Sequence, residues 1–163
     1  MEGQFYLMGV AGLGLSLAGF STLLSVFRAP GTWDQVIVWR ARTIVRASID
    51  TASAALIPVP VWYLTGSTDW AIRAGTALTL VLLMVRSIRY SPRRFPEAWG
   101  GSYSQIPFYV ITATTVAAMM VNLVLASLGL FLLLLIWQLG FPASIFARVV
   151  EEFRPESEGE PRG

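Results

Sequence analysis

Residues 106–150 read IPFYVITATTVAAMMVNLVLASLGLFLLLLIWQLGFPASIFARVV and carry no charge before Arg148. As one straight helix, at about 1.5 Å per residue, the run would be roughly twice the ~30 Å hydrocarbon core of a bilayer. A chain of this kind folds back on itself. The weakest helix signal inside it is Ala126-Ser127-Leu128-Gly129, where Gly129 suits a C-terminal cap. The break yields two spans, 106–125 and 130–150. The rival is a single long helix projecting into the cytoplasm, which leaves four spans in the chain instead of five.

The remainder of the chain supplies three more apolar runs of span length. Residues 5–27 have no basic residue before them and no small-residue cleavage site after them, so they resemble a retained span more than a signal peptide. Residues 43–64 and 70–88 follow, and the short link Thr65-Gly66-Ser67-Thr68-Asp69 forces them into an antiparallel hairpin. Apolar residues make up 55% of the chain and charged residues 13%, against about 25% charged in an ordinary soluble domain. The expected fold is all-α: one transmembrane helix bundle of about five spans over residues 1–150. The tail 151–163, EEFRPESEGEPRG, is acidic and rich in Pro and Gly, and is expected to be disordered.

Charge placement orients the bundle. Arg28, Arg40, Arg42 and Arg46 lie between spans one and two, Arg86, Arg89, Arg93 and Arg94 between three and four, and Arg148 after five. The positive-inside rule then puts the N-terminus outside and the C-terminus in the cytoplasm. Arg73 stands alone near the outer end, and Asp69, four residues earlier on the same helical face, can pair with it. The segment APGTWDQVIVWRARTIVR, residues 29–46, alternates apolar and charged residues in the manner of an amphipathic helix at the inner interface, feeding into span two. In RYSPRRFPEAWGGSYSQ, residues 89–105, arginines are interleaved with aromatics. Beside a membrane that pattern favours anionic headgroups over nucleic acid, so Arg40, Arg42, Arg89, Arg93 and Arg94 are the candidate lipid-binding residues.

All basic residues are arginine; lysine, histidine and cysteine are absent. Zinc and thiolate ligands, Ser-His and Cys-His nucleophiles, Schiff-base lysines and disulfides are thereby excluded. Neither a Gly-x-Ser motif with a histidine nor a facing pair of intramembrane aspartates is present. The sequence reads as non-enzymatic, without metal or cofactor. An arginine-only basic set fits a GC-rich genome and a bacterial inner membrane.

Polar groups inside the spans are then the candidates for function. Asp50 interrupts RASIDTASAALIPVPVWYL, residues 46–64, where an intramembrane carboxylate costs ~2.5–3.5 kcal/mol on the insertion scale. Placed one turn inside span two, it reads either as a helix-end salt bridge to Arg46, with Arg86 as a second partner, or as a group lining a transport path. Ser53 continues its face, and Pro58 and Pro60 free the carbonyls of Ala54 and Leu56. Thr115, Asn122 and Gln138 add polar groups in the last two spans, and the common depth of Thr115 and Gln138 below the turn predicts a hydrogen bond between them. In span one, Gly12, Ser16 and Gly19 share one face and Gly14, Ala18 and Thr22 another, fit for close packing within the protomer or for a homo-oligomer. The expected function is an oligomeric channel or transporter for ions or small solutes, with Asp50, Ser53, Pro58, Pro60, Thr115, Asn122 and Gln138 as path candidates. The alternative is a non-catalytic accessory subunit that binds another membrane protein or lipid.

Overall fold

A computed structural model of the protein describes residues 1, 3–26, 35–89 and 105–151. The expectations for Arg93, Arg94, the start of the amphipathic segment and most of the tail lie outside these residues. The described chain forms α1 (Gln4–Val26), α2 (Gln35–Leu56), α3 (Pro58–Thr65), α4 (Thr68–Arg89), α5 (Gln105–Leu125) and α6 (Leu128–Glu151), with no strand among the described residues. Five helical units are long and apolar enough to cross a membrane: Gln4–Leu23, Val38–Thr65, Thr68–Arg89, Phe108–Leu125 and Leu128–Ala147. The second of them joins α2 and α3 through a proline break.

Turn chemistry sets both described hairpins. At the α3–α4 turn Gly66 takes a left-handed φ of 66°, and its N–H donates to the Trp62 carbonyl at 2.8 Å, which closes α3 in the way a glycine cap does. Ser67 then accepts from the Trp70 N–H at 3.4 Å and opens α4. The α5–α6 turn falls at Ala126 and Ser127, where the sequence places it, but by a different residue. The left-handed position is Ala126, φ 50°, and Gly129 lies inside the first turn of α6. Asn122 makes this workable: its Oδ1 accepts from the Ser127 N–H at 3.1 Å, while the Ser127 hydroxyl caps Leu130 N–H at 3.3 Å.

The amphipathic segment and span two form one helix. From Gln35 the chain runs without interruption to Leu56, and the buried residues Thr43, Ile44, Ala47, Ser48, Thr51, Ala52, Ala54 and Ala55 make a single stripe along it. That stripe packs on α1, α6 and α4, which makes α2 the centre of the bundle. Small residues allow the closest approach. A Cβ at Gly14 of α1 would lie 2.8 Å from the Ser48 carbonyl oxygen and 3.2 Å from Ala52 Cβ, so only glycine fits that crossing.

The break at Pro58 is a packing feature. Pro58 has no N–H to give, yet Ile57 keeps helical angles, its N–H bonded to the Ser53 carbonyl at 3.2 Å. The buried Pro58 ring rests against Gly75 of α4, and the Phe131 ring of α6 closes the same spot. Around it lie Leu7, Val10, Ala11, Ala52, Ala54, Ala55, Ile72 and Leu135, the larger of the two apolar cores. The smaller, Leu83, Met119 and Leu134, joins α4, α5 and α6.

Candidate functional site

Asp50 is half-buried on the helical unit Val38–Thr65, roughly 18 Å from its first residue and roughly 22 Å from Thr65. The unit is roughly 42 Å long, more than the ~30 Å hydrocarbon core of a bilayer, so its midpoint is not the midpoint of the membrane. The arginines at 40, 42 and 46 lie on the first turns of this unbroken helix.

Arg86 comes to the same level from α4. Its Cα is near the C-terminal end of that helix, but a helical side chain leans back toward the N-terminus, and here that direction points toward the middle of the helix. The Arg86 Nη2 donates to Gln138 Oε1 of α6 at 3.2 Å, and its guanidinium carbon lies 5.9 Å from the Phe141 ring centroid. Gln138 is halfway along its own span, Leu128–Ala147. Asp50 attracts Arg86 electrostatically and Arg46 more weakly. Neither arginine makes a salt-bridge contact with it among the described residues. Three helices thus bring a carboxylate, a guanidinium and an amide to one depth.

Gln138 is 5% exposed, and among the described residues its Nε2 has no hydrogen-bond partner. A buried amide left this way costs about 1–3 kcal/mol, which marks the cluster as incomplete. The other two sequence candidates of the last hairpin are fully engaged elsewhere. Asn122, wholly buried, donates from Nδ2 to Thr76 Oγ1 at 2.9 Å while its Oδ1 holds the α5–α6 turn. Thr115 accepts from Trp137 Nε1 at 3.2 Å and donates to the Ile111 carbonyl at 2.7 Å. The bond expected between Thr115 and Gln138 therefore goes to the neighbouring Trp137. Asn122→Ala removes both the link to α4 and the brace of the turn; the expected loss is about 2–4 kcal/mol, two hydrogen bonds with a stranded partner, read by thermal unfolding in detergent. A melting curve equal to wild type would show that the turn stands without it.

The remaining candidates do not join the cluster. Ser53 and Pro60 are exposed on the outside of the bundle, and Pro58 is buried at the Gly75–Phe131 joint. Arg42 is exposed near the N-terminal end of α2 and Arg89 at the C-terminal end of α4, with Arg40 half-buried one turn from the start of α2. Arg73 does not pair with Asp69; its Nη2 reaches the last-turn carbonyl of Val124 on α5 at 3.4 Å, and its guanidinium sits 5.9 Å from the Trp70 ring centroid. A free carbonyl at a helix C-terminus attracts a guanidinium, and the exposed Asp69 is left at the N-terminal end of α4, where the helix dipole favours it. Thr76 and Trp137 escaped the sequence reading: Thr76 stands alone between Gly75 and Ala77, and Trp137 reads as part of the apolar run before Gln138.

Fold and site together define a multi-pass membrane protein with a polar cluster inside its spans. No family model, no curated protein and no solved structure matches the chain.

Proposed function

We propose that the protein is a transporter or channel for ions or small solutes, and that Asp50, Arg86 and Gln138 form its intramembrane site. The observation that carries this reading is the buried Gln138 amide, unpartnered among the described residues, beside a pair of opposite charges inside the helix bundle. Intramembrane ionisable groups are costly and tend to mark ion or solute pathways. In this reading the chain is a non-enzymatic, homo-oligomeric protein of a bacterial inner membrane, its N-terminus outside and its C-terminus cytoplasmic. Arg40, Arg42 and Arg89, with Arg93 and Arg94, would meet anionic headgroups at the cytoplasmic face.

Flux into proteoliposomes under ion and solute gradients tests the proposal, comparing wild type with Gln138→Leu and Asp50→Asn at equal folded content. Flux in wild type that falls at least about tenfold in either variant is expected. Wild type without flux under any gradient would move the assignment to the accessory-subunit reading. One observation favours that second reading: Gly12, Ser16 and Gly19 of α1 are exposed, and nothing lies within 4 Å of a Cβ added at either glycine, so this small-residue face is open to another helix.

A further inference from the structure

Resting on the site assignment above, we infer that the Asp50–Arg86–Gln138 cluster binds a small monovalent anion, best a planar oxyanion such as a carboxylate or nitrate, between Arg86 and Gln138. The Arg86 guanidinium offers a fork of N–H donors and no acceptor. Gln138 Oε1 takes one of them, and among the described residues no other hydrogen bond to Arg86 is present. The Gln138 amide nitrogen, bonded to the same carbon as that Oε1, lies next to the guanidinium and has no acceptor at all. The remaining N–H groups of Arg86 and the Gln138 amide N–H groups therefore lie side by side, with Gln138 Oε1 as the one acceptor they meet among the described residues. What such a place lacks is an acceptor with negative charge.

A cation fits poorly. It would have to approach a guanidinium, and the one carboxylate near it among the described residues already faces Arg86 and Arg46. Asp50 makes no hydrogen bond among the described residues, so it acts on Arg86 at a distance, as a counter-ion. One guanidinium and one amide match one negative charge; a dianion would carry uncompensated charge into a dry interior. The guanidinium fork matches the edge of a planar oxyanion in two parallel hydrogen bonds. A lipid phosphodiester has the same charge, but its headgroup sits at the interface, whereas Gln138 is roughly 15 Å inward from the start of α6.

The carboxylate of Asp50 competes with an arriving anion for Arg86, which gives the site a signature that no cation pathway shares. Calorimetric titration of the full chain in detergent, at constant ionic strength, with acetate, nitrate, chloride, sulfate and ammonium reads it. Wild type should bind acetate or nitrate saturably, and sulfate and ammonium not. Arg86→Gln should weaken binding at least about tenfold, the worth of one charge-assisted hydrogen bond. Gln138→Glu keeps the shape of the side chain and itself presents a carboxylate to Arg86; it should abolish binding, and it guards against an Arg86 variant that fails to fold. Asp50→Asn should strengthen binding. No saturable anion binding in wild type, or binding unchanged in Gln138→Glu, would overturn the inference. So would saturable binding of phosphatidylglycerol in nanodiscs with none of any free anion. Anion binding without flux keeps this inference and removes the transport reading, while flux insensitive to anions does the reverse.

Discussion

Arg86→Met should destabilise the protein by up to about 2.5–3.5 kcal/mol, the insertion-scale cost of a lone aspartate at the centre of a span. The substitution keeps the length of the apolar stem but takes away the charge that Asp50 faces and the donor to Gln138 Oε1. Adding Asp50→Asn to the same chain removes the stranded charge and should restore most of the loss, so the double variant is more stable than the single. Unfolding of the three proteins in mixed detergent micelles, analysed as a double-mutant cycle, gives the coupling directly. Equal stability of the single and double variants would mean that the two charges do not compensate one another.

The second large effect belongs to Gly75. A Cβ there would stand 2.7 Å from Pro58 Cγ and 2.8 Å from Phe131 Cζ, with Phe131 Cε1 at 3.2 Å. Both neighbours are buried rings, unable to swing aside as a flexible chain end would. Gly75→Ala should cost about 1–3 kcal/mol, the usual range for overpacking, and Gly75→Val more, because α3, α4 and α6 must all retreat. Shortening the opposing ring relieves the clash. Gly75→Ala combined with Phe131→Leu should therefore lose less than the two single changes added together. Thermal melting of the four proteins checks it, and a Gly75→Ala variant that melts with wild type would show a looser joint than these distances imply.

Much of this architecture can be read from the chain. Length alone splits residues 106–150 into two helices, and the Gly66 link alone makes a hairpin, because these are questions of reach and of backbone conformation. Rotation about a helix axis is harder. Asp50, Ser53 and Pro60 all lie in an apolar run where periodicity does not say which side neighbours will cover, and the buried stripe passes through Ala47, Thr51 and Ala54, leaving Ser53 and Pro60 outside. The same gap explains Thr115. Counting residues from the turn gives its height, but a single residue is about 100° of rotation, enough to present Trp137 to Thr115 and turn Gln138 toward α4. Arg86 is legible as a partner of Asp50 because the hairpin brings their helices together. It was hidden as a site residue because its Cα belongs with the arginines at the C-terminal end of α4 while its guanidinium does not.

The tight turn at Gly66 also bears on how the protein enters the membrane. A two-residue link makes the helices on either side a single insertion unit, since neither can move far from the other while it leaves the ribosome and enters the translocon. Asp50 is carried by α2, which continues through α3 to the link, and Arg86 by α4 beyond it. Each alone would weigh against partitioning into lipid, but emerging as a folded pair they present opposite charges to each other at a common depth. Lengthening the Gly66–Ser67 link would separate these events in time, so that the first helix would have to commit to the bilayer with its aspartate still without a counter-ion.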